Sequence, residues 1–143
     1  MDTGETFSDS FTIQGRNFLD AGQVSTEIKS ELKDLGIDPA VIRRVAIATY
    51  EAEMNVVMYA DQARLTLRVT SQAIRVTVDD RGPGIPDIGL AMQEGYSTAT
   101  HEMREMGFGA GMGLPNIKKN ADDFRITSTV GRGTTLEIRI DIN

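Results

Sequence analysis

The sequence predicts an α+β fold: a two-layer sandwich with helices covering one face of a mixed, mainly antiparallel sheet. Three observations carry this expectation. Hydrophobic periodicity gives the order strand, helix, helix, strand, strand, loop, helix, strand, strand, without the strict alternation that builds a doubly wound parallel sheet. Two pairs of alternating segments are each joined by a short turn, the pattern of antiparallel hairpins. The chain has 143 residues, 40% hydrophobic and 25% charged, which suits one domain with its own core, and no internal repeat or linker interrupts it.

Each element has a local reason. Phe11-Thr12-Ile13 alternates and predicts a short first strand. Phe18, Leu19, Val24, Ile28, Leu32 and Leu35 recur at helical spacing, predicting a helix over 18–35 that stops at Gly36. Asp38-Pro39 is an N-cap followed by a first-turn proline, so a second helix runs from there to about Tyr59. Residues 63–70 and 73–78 alternate as strands, with Ser71-Gln72 as their turn. Residues 79–86 are dense in glycine and proline and read as a loop, and 87–94 as a short helix. Residues 95–113 are glycine-rich, and a further helix covers 114–121. Residues 124–130 and 134–142 close the chain as a hairpin around Gly131-Arg132-Gly133.

Composition removes several function classes. There is no cysteine, hence no disulfide, thiolate metal site or cysteine nucleophile. His101 is the single histidine, which argues against a histidine-rich metal centre or a histidine triad. The net charge of −6 argues against a nucleic-acid binder. No apolar run reaches the length of a membrane span, and Met1 to Ser10 has no apolar core of a signal peptide, so a cytoplasmic location is expected.

Four segments hold chemistry-bearing residues. Glu51 and Asn55 stand i, i+4 on the second helix, on one face. A carboxylate and an amide oxygen suit magnesium, which takes few protein ligands, and the carboxylate suits a general base; alone, the pair reads more readily as a solvated helix face. Glu53 lies about 200° round the helix from Glu51 and is expected to face solvent or a partner. Asp80-Arg81-Gly82-Pro83-Gly84-Ile85 follows a strand; its glycines admit a close ligand and Asp80 can accept a bond from an exocyclic amine, although a plain turn explains them too. Gly107-Phe108-Gly109-Ala110-Gly111-Met112-Gly113-Leu114 leads into a helix and offers backbone N–H groups to phosphates, with a flexible loop as the alternative. It has neither the lysine of a Walker loop nor the early strand of a Rossmann fingerprint. Thr134, after Gly131-Arg132-Gly133, can face a nucleotide base, although a hairpin accounts for the glycines.

Together and in this order the four segments resemble the nucleotide-binding boxes of the GHKL superfamily, whose two-layer domain is the Bergerat fold. The resemblance covers about residues 11–142 and is similar in spacing to the bacterial anti-sigma factor and switch-kinase branch. Glu94-Gly95-Tyr96-Ser97-Thr98 and Gly113-Leu114-Pro115-Asn116-Ile117-Lys118 resemble its RsbT-like switch kinases. The resemblance implies one ATP-binding kinase domain over 1–143, with an ATP lid at about 95–109. It implies that Asn55 holds magnesium, Glu51 is the general base and Asp80 meets the adenine amine beside Gly82, Gly84 and Ile85. Gly109, Gly111, Met112, Gly113 and Leu114 would cradle the phosphates, and Thr134 would help to hold the adenine region. Arg104 is the first candidate for a cation at the γ-phosphate and Lys118 the second. Tyr59 stands where the family often has histidine.

The implied activity is a serine/threonine protein kinase that phosphorylates a STAS-domain partner in a partner-switching stress pathway. Further partners implied by the branch are a metal-dependent serine phosphatase or a sigma factor, and sigma-sequestering members often form homodimers. The competing readings are a non-catalytic nucleotide-tuned binding module, a true anti-sigma factor, and the catalytic domain of a histidine kinase. Met92, Met103, Met106 and Met112 suit either lid packing or an adaptable partner surface.

Overall fold

The structure is a computed structural model and describes residues 5–93 and 113–142. Five strands form one sheet: β1 (Glu5–Gln14), β2 (Gln62–Thr70), β3 (Ala73–Arg81), β4 (Asp123–Thr129) and β5 (Gly133–Asp141). The spatial order is β1-β2-β3-β5-β4, and all four pairings are antiparallel. This is the antiparallel end of the mixed sheet that the element order predicted. The helices among the described residues are α1 (Gln23–Asp34), α2 (Pro39–Tyr59), the four-residue α3 (Ile88–Ala91) and α4 (Gly113–Asn120).

The core lies between the helices and one sheet face. Leu65, Leu67 and Val69 of β2, Ile74, Val76 and Val78 of β3, and Leu136, Ile138 and Ile140 of β5 are buried there. They meet Ile28 and Leu32 of α1, Val45, Ala48, Ala52 and Val56 of α2, and Ile117 of α4. The period of two in the strands and the helical spacing thus converge on one apolar layer. No helix among the described residues is long and apolar enough to cross a membrane.

α2 starts as its sequence dictates: Asp38 accepts a hydrogen bond from the Ala40 N–H at 2.8 Å and Pro39 opens the helix. α1 does not. The periodicity placed its start at Phe18, but Gly22 sits at φ 96°, outside helical space, and residues 15–22 fold as turns. In these turns the Arg16 N–H donates to the Val57 carbonyl at 2.8 Å and Leu19 is left 97% exposed. No side chain of the Gly22 turn caps α1. The carboxylate of Glu53, on α2, does so instead, accepting from the N–H groups of Gly22 at 3.1 Å, Val24 at 3.2 Å and Ser25 at 2.9 Å. Glu53 is 2% exposed, so the expectation that it faces solvent or a partner is overturned. Its 200° offset from Glu51 turns it toward α1, where orphan helix-start donors compensate a buried charge.

Two strands exceed their expected length. β3 runs to Arg81 because Asp79, Asp80 and Arg81 pair with Arg64, Ala63 and Gln62, so the loop begins only at Gly82. β1 spans ten residues because it pairs with β2 throughout, including Asp9, which sits opposite the buried Leu67 on the core side of the strand. There Asp9 shares a hydrogen bond with Glu31 of α1. Two carboxyl groups can share one only with a proton between them. Burial, Asp9, Glu27 and Asp34 together push Glu31 up to about 7, and its Oε1 is buried without a hydrogen-bond partner.

The sign of the pH dependence follows. Folding holds the Glu31 proton more tightly than the unfolded chain does, so this stabilisation is complete below about 4.5 and is lost as pH rises through about 7. Thermal melts at pH 5 and pH 8 should show Glu31→Gln, which mimics the protonated group, flattening the decline and melting above the parent at pH 8. A variant with the parent's pH slope would mean that another group sets it.

Candidate nucleotide-binding site

The face of α2 opposite Glu53 carries Glu51 and Asn55, and α4 begins directly against it. A Cβ added to Gly113 would lie 3.3 Å from Glu51 Oε2 and 3.4 Å from Asn55 Oδ1. Only glycine lets the first turn of α4 come this close to both side chains without moving them. The i, i+4 spacing puts both side chains on one face of α2, and the fold brings the start of α4 against them. Burial pushes Glu51 above its ordinary value, and a hydrogen bond from Asn116, one turn into α4, pulls it back.

A second cluster forms where β3 ends. Asp80 Oδ1 accepts from the Thr134 N–H at 2.9 Å. A Cβ on Gly133 would fall 2.0 Å from the Asp80 carbonyl oxygen, so β5 starts here only with glycine. Burial is the main influence on Asp80 and raises it, Thr134 lowers it, and neighbouring Asp79 raises it again. Gly82 packs against Ala60, where an added Cβ would be 3.0 Å from Ala60 Cα and 3.5 Å from Asp80 Oδ1. Ala60 follows α2 directly, about 7.5 Å along the helix axis from Asn55. The two clusters thus share one end of α2.

Gly82 and Gly84 have a further role that the sequence did not announce. An added Cβ on Gly84 would meet the Thr129 carbonyl oxygen at 2.6 Å. The small residues of this loop let chain approach chain, against α2 and against the β4 end. Ile85 is partly buried against the core, and its N–H donates to Ser128 Oγ at 2.7 Å. Leu114 is buried in the core, while Gly113 before it faces the Glu51 pair. Thr134 is 7% exposed and its hydroxyl is 2.8 Å from that of Ser128. Lys118 is exposed in the last turn of α4, about 140° round from Gly113, so the structure does not bring it to this face. Arg104, Gly109, Gly111, Met112, His101 and the expected lid at 95–109 lie outside the described residues.

Among the described residues no three histidine, cysteine or acidic side chains cluster as a metal cage. The donor set at Asn55 and Glu51 fits a cation that keeps most of its waters, as magnesium does.

The sequence model of the family described as histidine kinase-, DNA gyrase B-, and HSP90-like ATPases matches residues 40–143. The chain belongs to this ATPase family. Within it, the chain is 30% identical over 109 residues to the serine/threonine-protein kinase RsbT of Bacillus subtilis (strain 168), covering 73% of this chain and 76% of that protein. It is also 30% identical over 109 residues to the anti-sigma F factor of Caldanaerobacter subterraneus subsp. tengcongensis, covering 71% and 73% respectively. A crystal structure of the RsbU and RsbW domains of a Mycobacterium tuberculosis protein matches with a TM-score of 0.58 at 16% identity. The match takes in 94% of this chain and 36% of that one, and at this identity it speaks to the fold alone. The expected branch, anti-sigma factors and RsbT-like kinases, is the one these relatives occupy.

Two residues of this family member's site escaped the sequence reading. Asn116 stood in a segment read as helix, and only the approach of α4 to α2 gives it Glu51. Ser128 stood in a segment, 124–130, read only as one strand of the closing hairpin. It ties together Ile85 N, Thr134 Oγ1 and the Gly133 carbonyl, the last at 3.2 Å. Ser128→Ala strands the Ile85 N–H and one partner of the Thr134 hydroxyl, so it should cost about 1–3 kcal/mol of unfolding free energy in urea. A parent-like unfolding curve would show that this hydroxyl does not hold the loop to the sheet.

Proposed function

We propose that this chain is an ATP-dependent serine/threonine protein kinase of the switch-kinase type. It would act in the cytoplasm as a single domain over 1–143, phosphorylating a STAS-domain partner in a bacterial partner-switching pathway. One observation carries the proposal: Glu51 and Asn55 flank the first residue of α4, where backbone N–H groups and the positive helix end favour phosphate oxygens. Family membership and the RsbT relative support it.

In this reading Asp80, fixed by the Thr134 N–H, accepts from the adenine amine, with Thr134 and the backbone of 82–85 around the base. The start of α4 cradles the phosphates. Asn55 would hold magnesium, which when bound neutralises phosphate charge. Glu51 accepts the proton of the partner's hydroxyl while that oxygen bonds the γ-phosphorus and ADP departs with the bridging oxygen. Positioning and charge compensation are most of what such transfer needs. Arg104 remains the proposed cation at the γ-phosphate.

Asn55→Ala should weaken magnesium-dependent ATP binding by about a hundredfold or more, read by calorimetry, since a bound cation supplies several kcal/mol. Glu51→Gln should leave binding intact and slow phosphorylation of a STAS-domain protein about 10²–10⁴-fold. Unchanged affinity in the first variant, or normal transfer in the second, overturns the respective role.

A general base must be deprotonated, so a raised Glu51 places the acid limb of kcat/KM above the ordinary 4.5. Asn116→Leu removes the bond that lowers it and should move that limb to still higher pH. A uniform loss of rate with an unmoved limb would show that Asn116 does not act through Glu51.

The anti-sigma F factor relatives support a second reading, a sigma-sequestering or non-catalytic ATP-dependent regulator, which would act as a homodimer, whereas a serine phosphatase would be a further partner of the switch kinase. ATP binding without phosphate transfer to any STAS-domain protein, together with stable capture of a purified sigma factor, would select it.

A further inference from the structure

The sheet face turned away from the helices carries a row of arginines across its centre. Arg68 on β2 stands opposite Arg75 on β3, which stands opposite Arg139 on β5. Residues opposite one another on antiparallel strands lie only about 4.5–5.5 Å apart at Cα. Three like charges side by side should disfavour the pairing. Arg64 and Arg125 add cations to the same face, whereas the chain as a whole carries −6.

The acids of this face stand beside particular arginines. Asp79 lies opposite Arg64, Glu137 lies opposite Arg125, Asp123 binds Arg125 at 3.1 Å and Asp141 binds Arg139 at 3.0 Å, and Arg68 is not without a partner of its own. Arg75, exposed on the central strand, has an arginine opposite it on both sides. Ser10, Thr66, Thr77, Glu137 and Arg125 form the next row, which sets hydroxyls beside the guanidinium groups on β1, β2 and β3 and one carboxylate on β5.

The cations here are all arginine. The four lysines, Lys29, Lys33, Lys118 and Lys119, lie on α1 and α4. Guanidinium groups bind carboxylates with two parallel hydrogen bonds, which an ammonium group does not do. We propose that the open sheet face is a docking surface for an acidic segment of a protein partner, centred on Arg68, Arg75 and Arg139.

Charge complementarity selects this occupant. Among the described residues the face has no aromatic side chain on which nucleic-acid bases would stack, since Phe7, Phe11 and Phe124 are paired on the core side. Among the described residues it exposes no apolar side chain to enter a bilayer, since Ala73 is buried. A short acidic segment meets only the arginine face, whereas an extended polyanion also meets the negative remainder of the chain. This surface is independent of the nucleotide reading, because it uses other residues on the other side of the sheet.

The test is fluorescence anisotropy of the full chain with a fluorescein-labelled octaglutamate peptide. The variants are Arg75→Gln, the triple Arg68→Gln/Arg75→Gln/Arg139→Gln, and a charge-matched control, Lys29→Gln/Lys33→Gln/Lys118→Gln. Saturable binding should weaken at least about tenfold in the triple variant and remain near parental in the control. Arg75→Gln alone should weaken binding and melt no lower than the parent, since it relieves a like-charge row. It also decides the matter if the triple variant does not fold. ATP affinity, measured in parallel, should not change.

Absence of saturable peptide binding, an equal loss in the lysine control, or a lower melting temperature for Arg75→Gln overturns the proposal. So does tighter binding to a single-stranded DNA oligonucleotide or to phosphatidylserine vesicles than to the peptide. Loss of ATP binding in the parent chain would sink the kinase reading and leave this surface untouched.

Discussion

The buried carboxylate of Glu53 decides how α2 lies, and much of the molecule follows from that. α2 touches the sheet, α1 and α4, so its rotation about its own axis sets what each neighbour meets. At 2% exposure a charge is costly unless paired, and the three N–H groups at the start of α1 supply that pairing. Charge-assisted bonds of this kind are worth about 1.5–3 kcal/mol each, and losing the arrangement would strand both the carboxylate and the helix end. With Glu53 fixed toward α1, Glu51 must turn about 200° away, toward α4. An interaction that touches no proposed ligand thus aims the residue proposed to do the chemistry. An open groove of about 550 Å³ beside Tyr50 and Leu19 also lies on the α1 side of α2, away from Glu51.

Close backbone approaches do the corresponding work at the sheet end. Gly133 lets β5 start against the Asp80 carbonyl, which brings the Thr134 N–H onto the Asp80 carboxylate. Ser128 then joins this corner to the loop through Ile85. The hydroxyl of Ser128 has a single proton for two acceptors, the Gly133 carbonyl and Thr134 Oγ1. When Ser128 donates to Gly133, Thr134 donates to Ser128; when Ser128 donates to Thr134, the Thr134 proton is available elsewhere. The corner can therefore match either a donor or an acceptor placed beside it.

Local chemistry was legible in the sequence wherever one residue and its near neighbours decide the structure. Asp38-Pro39 named the start of α2, Ser71-Gln72 the first hairpin, and Glu51 and Asn55 their shared face. Where a partner distant in the chain decides, the sequence was silent. The start of α1 depends on Glu53, 28 to 31 residues away, so its apolar spacing alone ran the helix on to Phe18. β1 was read as three residues because the inward Asp9 breaks the apolar alternation, and only Glu31 across the layer makes sense of it. The arginine row was invisible for the same reason: Arg68, Arg75 and Arg139 become neighbours only through register.

Strand parity keeps the two surfaces apart while the same strands build both. On β3, Asp80 faces the helix layer and its neighbour Asp79 faces the other way. Arg75 is five residues from Asp80 and Arg139 five from Thr134, about 17 Å along each strand. A partner on the arginine row would therefore lie on the opposite face and toward the opposite end from the proposed adenine corner. Both sites can be filled at once, and neither occludes the other. Because β3 and β5 run through both, a partner that shifted their register would flip Asp80 out of the corner. A rigid sheet makes that shift costly. The geometry therefore favours independent docking on the arginine face over competition with nucleotide.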